Sequence, residues 1–152
     1  MSTATLPTAA DSPPPPDWAR RLGMAGLLPF VAGALLVWVV WPEAHPYVAM
    51  GLSAYAALIV SFLGGIHWGV AMRSATPPPV LLAWGVTPSL LAWVAVMMPP
   101  NAGLVVHGLL LLVCYGVDRR LYPRHGLGGW LTLRFRLSAV AALSCFLGAA
   151  GT

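Results

Sequence analysis

The sequence predicts an all-α integral membrane protein of five transmembrane helices, with its N-terminus inside and its C-terminus outside. Of 152 residues, 59% are hydrophobic and 8% charged, and mean hydropathy is +0.79, too apolar for a domain that meets water on every side. Five apolar runs of about the ~20 residues needed to cross a ~30 Å hydrocarbon core are separated by proline-containing turns. Lysine is absent, and the eight basic residues are arginines that flank the first run or fall in the second and fourth loops and the opening of the last run. The first and third loops have none, so the positive-inside rule puts all eight on the inner side and sets five crossings.

Residues 1–19 are polar, small and proline-rich (DSPPPPDW) and are expected to be an extended or disordered tail preceding a transmembrane domain over 20–152. Arg20 and Arg21 before an apolar run superficially resemble a twin-arginine export signal, but no small-residue cleavage site followed by a soluble domain is present, which favours a membrane anchor. The first span is expected from Leu22 to Trp41, ended by PEAHP, and the second from Tyr47 to Met72, ended by TPPP. The third runs from Val80 to Met98, closed by Pro99 and Pro100. The fourth, Ala102 to Val117, would cover only about 24 Å, and the fifth is expected from Leu131 to Ala150. Arg134 and Arg136 in its first turns must snorkel to the headgroups or pair within the protein.

Gly26 and Pro29 in the first span are matched by Gly85 and Pro88 in the third, and WGV before Arg73 by YGV before Arg120, which suggests two tandem helical hairpins plus one helix. Each proline removes an amide hydrogen bond, so both helices are expected to kink, with Thr87 and Ser89 available to satisfy freed backbone groups.

The stretch SFLGGIHWGVAMR, Ser61 to Arg73, concentrates the chemistry. Ser61, Gly64, Gly65 and Gly69 are expected to form a bare helix-packing face of the GxxxG kind. His67 points away from that face, and an ionisable side chain at such depth is a candidate proton or ligand site, weighed against a hydrogen-bonded structural histidine beside Trp68. With Thr87 and Ser89 it makes a candidate polar site in a cavity between the kinks.

Other constellations are incomplete. His67 and His107 lie at different depths and are not expected to share a haem iron, so no cofactor is predicted. Glu43 and His45 supply two metal ligands where a site needs more, so no metal is predicted. The four acids are Asp11, Asp17, Glu43 and Asp118; none is expected within a span, no catalytic residue is assigned, and Asp118 is expected to pair with Arg73, Arg119 or Arg120. Cys114 and Cys145 fall in spans as small apolar side chains. Arg73, Arg119, Arg120, Arg124, Arg134 and Arg136 form a surface for anionic headgroups or an acidic partner, and nucleic acid is not expected. The absence of lysine, with two isoleucines and one asparagine, points to a GC-rich bacterial genome and the inner (cytoplasmic) membrane.

GLLPF, SFLGGIHWG, TPSLLAW, DRR and LRFRL together resemble the bacterial domain-of-unknown-function family thirty-four twenty-nine, whose animal relative is transmembrane protein sixty-nine. The resemblance covers about residues 22 to 150 and implies a small multi-helix membrane protein with no catalytic residue to carry over. Two readings of function follow. One is an accessory or assembly subunit of a larger, energy-transducing complex or a homo-oligomer; the alternative is a small-ligand or proton carrier.

Overall fold

Four of the six α-helices begin with a proline in their first turn, where a missing amide hydrogen breaks no helical bond. The computed structural model describes residues 12–152, and the first eleven residues of the expected tail lie outside them. The helices are α1 (Asp17–Ala25), α2 (Leu28–Val39), α3 (His45–Ala71), α4 (Pro79–Val96), α5 (Pro100–Leu121) and α6 (Leu131–Ala150). Two 3-10 turns, Pro123–His125 and Gly128–Trp130, join the last two, and there is no strand among the described residues. Taken together, α1 and α2 form the first of five segments long and apolar enough to span a membrane. Helix thus begins three residues before the expected domain boundary, while the last span has the expected limits.

Helix α3 is the central post and packs against α2, α4, α5 and α6. The core beside it includes Phe30, Val37, Leu52, Val60, Leu104 and Leu111. Large apolar residues such as Leu28, Leu58, Phe62, Trp93 and Leu143 face outward, as expected of a bundle whose solvent is hydrocarbon. Cys114 and Cys145 are free and buried.

The two proline positions behave differently. The first span is broken at Gly26 and Leu27, and the Tyr55 hydroxyl donates to the Gly26 carbonyl at 2.8 Å, satisfying a group the break exposes. Pro88 lies inside a continuous α4 and is buried. There Gly85 is the docking point: a Cβ would collide with the Trp68 indole, whose Nε1 donates to the Leu82 carbonyl at 3.0 Å. The Thr87 and Ser89 hydroxyls are exposed and donate to Ala83 and Val86 of their own helix.

Two expectations require correction. The fourth span is 22 residues, not 16, because helix begins at Pro100 and continues through Asp118, Arg119 and Arg120 to Leu121; the acid that looked like a loop residue is fully buried. The packing glycine of α3 is Gly64, whose Cβ would lie 2.5 Å from the Gly85 carbonyl oxygen. At Gly65 and Gly69 a Cβ would meet nothing within 4 Å, because both lie on the outward side of the helix. Ser61 is half-buried and donates to Ala57 of its own helix at 2.8 Å.

This geometry separates the two adjacent glycines. Gly64→Ala must push α3 from α4 and is expected to cost about 1–3 kcal/mol, the range for overpacking. Gly65→Ala should leave stability unchanged or slightly raised, as usual when a helical glycine in open space becomes alanine. Unfolding of both variants in detergent, followed by circular dichroism, compares them; equal losses would refute this packing.

Candidate functional site

Three charged or ionisable side chains meet inside the bundle at the end where α3 and α5 finish and α6 begins. His67 lies four residues before the end of α3, Asp118 three before the end of α5, and Arg134 three after the start of α6. The antiparallel arrangement therefore brings them to one level, about one turn inside the helix ends. All three are buried, Asp118 completely.

The Arg134 guanidinium donates through Nε, at 2.9 Å, and through Nη2 to the same oxygen, Asp118 Oδ2. Of the two alternatives for Arg134, a lipid or partner surface and pairing within the protein, the second holds; Asp118 was expected beside Arg73, Arg119 or Arg120, yet those three arginines are exposed, as are Arg124 and Arg136. The correction follows from dielectric: an arginine facing hydrocarbon and an acid inside a span each carry a large desolvation cost, which pairing offsets.

The second carboxylate oxygen, Asp118 Oδ1, stands 3.3 Å from His67 Nε2, but the directions are wrong for a hydrogen bond and neither atom has another partner. We take the contact as electrostatic proximity rather than a formed bond, since direction fails where distance succeeds. His67 Nδ1 is 3.3 Å from the Leu63 carbonyl, which can only accept, so Nδ1 carries a hydrogen. Nε2 and Oδ1 then attract only when a proton sits on one of them; without it, two lone pairs face each other. Tyr122, at the end of α5, covers this end of the cluster, its ring centroid 6.3 Å from that of His67. Burial pushes its phenol up to about 12, so it remains a donor at neutral pH.

A cavity of about 580 Å³ adjoins the cluster, bounded by α1, α2, α3 and α6. Arg134, Tyr122 and Ser138 form its polar end, and Phe30, Ile59, Leu63 and Ala141 belong to its apolar wall. Its place differs from that expected: Pro29 lines a separate shallow hollow beside α3, and Thr87 and Ser89 are not brought to His67. The break at Gly26 creates this space by letting α1 lean on α6, where Gly23 meets Leu137.

A second buried polar set lies toward the opposite end. The Ser53 hydroxyl is 3.3 Å from His107 Nδ1, and His107 Nε2 is 3.3 Å from the Ala92 carbonyl, tying α3, α4 and α5 together. Ser53 and His67 are fourteen residues apart on α3, about 21 Å, so the two histidines cannot flank one iron.

Fold and cluster define a small multi-pass membrane protein with an ion-paired polar centre inside one end of its bundle. The chain belongs to the family described as Protein of unknown function (DUF3429), which matches residues 15–150. It is 39% identical over 142 residues to Transmembrane protein 69 of Xenopus tropicalis, covering 88% of this chain and 53% of that protein. It is 29% identical over 145 residues to Transmembrane protein 69 of Mus musculus, covering 93% and 58%. The chain thus spans little more than half the length of these relatives. No solved structure matches.

The ion pair makes a quantitative prediction. Asp118→Ala or Arg134→Ala should each cost about 3–5 kcal/mol, because each strands one buried charge. The double variant Asp118→Ala, Arg134→Ala should lose much less than the sum of the two single variants. A double-mutant cycle read by unfolding in detergent checks this, and additive losses would show the pair to be uncoupled.

Proposed function

We propose that this protein is a small-ligand or proton-handling membrane protein whose working site is the cluster of His67, Asp118 and Arg134. The observation that supports the reading most is the facing pair His67 Nε2 and Asp118 Oδ1, two buried polar atoms without hydrogen-bond partners, next to a cavity. A structural network normally satisfies such atoms, since each unsatisfied group costs about 1–3 kcal/mol. The sparse polar lining and apolar walls suit small-molecule binding.

A second reading, an accessory or assembly subunit, is favoured by Gly65 and Gly69, which lie bare and outward where a neighbouring helix would approach closely. The expected partners are then a larger membrane complex or a second copy, with anionic headgroups against the exposed arginines. In either case we place the chain in a bacterial inner membrane with its N-terminus inside.

Extraction from the native membrane in mild detergent, followed by sizing and mass spectrometry, distinguishes the two. The first reading expects a small particle retaining a small molecule or a proton-linked activity, lost in His67→Ala protein that still folds. Retention of that property in the variant would remove His67 from the mechanism. The second expects co-migration with a large complex, abolished by Gly65→Leu with Gly69→Leu and indifferent to His67→Ala.

Orientation is tested separately. A phosphatase reporter active only after export should be active when fused after Thr152 and inactive when fused after Arg124. The reverse pattern would invert the topology.

A further inference from the structure

The polar end of the cavity supplies hydrogen-bond donors. Arg134 gives Nε and Nη2 to Asp118, and its guanidinium also lies beside the Tyr122 hydroxyl. Tyr122 keeps its phenolic hydrogen beside it. Ser138, one turn along α6, is 1% exposed, lines the cavity, and its hydroxyl has no partner. Among the described residues three serines are buried: Ser53 meets His107, Ser144 donates to Val140 of its own helix, and Ser138 is left over. A helical serine ordinarily bonds to the carbonyl one turn back, so a free hydroxyl aimed at a cavity is poised for something else.

The remainder of the space is apolar and reaches from Arg134 to Ala141, seven residues or about 10 Å along α6. It is not closed: Leu22 of α1 and Phe62 of α3 both line it and are both 65% exposed, which marks a lateral mouth between these helices. A molecule entering there comes from the bilayer and not from water.

Building on the ligand-binding reading above, we propose that the cavity holds a single-tailed lipid whose head presents acceptor oxygens, a carboxylate or a carbonyl. The head meets Arg134, Tyr122 and Ser138, and the tail lies along Phe30, Ile59 and Leu63. A cationic head is opposed by the Arg134 guanidinium, which can only donate.

The test uses the full chain in detergent with three probes of one tail length: a brominated fatty acid, its methyl ester, and a brominated alkane without a head. Bromine quenches tryptophan, and Trp18 and Trp130 line the cavity. The acid or the ester is expected to quench saturably at one per chain, and whichever binds more tightly tells a carboxylate from a neutral carbonyl. Ser138→Ala should weaken that probe about tenfold, the loss of one hydrogen bond from a buried head. Ile66→Trp, which fills the cavity from the α3 side, should abolish quenching. An alkane that binds as tightly as the headed probes, or quenching that ignores both variants, overturns the proposal. If the natively extracted protein carries a different small molecule that Ile66→Trp expels, the lipid class fails while ligand binding stands. If neither probe nor native molecule binds, both fail.

Discussion

A charge inside a bilayer must be compensated where it stands, and the Asp118 and Arg134 pair meets that demand at one end of the bundle. The arginine fixes the rotation of α6, because its guanidinium has to face inward, and the carboxylate does the same for α5. His67 on the central helix meets the other carboxylate oxygen, so three helices share one electrostatic reference point. Lipid contributes no hydrophobic force between helices, and such points, with close glycine contacts, decide which faces meet. Gly64 against Gly85 with Trp68 sets α3 against α4, while Ser53 and His107 repeat the polar device toward the far end.

The break in the first span has the opposite character. A continuous helix from Asp17 to Val39 would lie along its neighbours; interruption at Gly26 and Leu27 lets the first nine-residue piece tilt onto α6 and leaves the cavity beneath it. Stability and opening are thus assigned to different residues at the same end of the molecule. The buried pair holds α5 to α6, and the broken span, secured to α3 by the Tyr55 hydroxyl, leaves room for a guest.

Much of the fold was legible in the sequence because prolines mark helix starts and arginines mark loops. Leu131 to Ala150 was read correctly from that punctuation alone. Facing was not legible: a helix apolar all round carries no periodic signal for its buried side, so Gly64 and Gly65 look equivalent and were expected on one packing face, whereas Gly64 alone of the two packs within the bundle. The site was half legible. His67 stood out by its depth, but Asp118 was read as a loop residue because DRR resembles the end of a span. The available signal was arithmetic: Arg134 within an apolar run needs an acid, and Asp118 is the one acid whose helix end reaches the same level. Ser138 offered no signal, since a helical serine usually satisfies itself.

The pairing of α5 with α6 also bears on how the chain enters the membrane. Each of these helices alone carries a charge that is costly to place within a span, and together they carry a neutral pair. The intervening turns are short, and Gly129, in the second of them, donates to the Ser12 hydroxyl at 2.6 Å, so this loop is tied to the segment that leads into α1. The last two helices are accordingly best delivered to lipid as one hairpin, whose neutral pair spares each helix a lone charge.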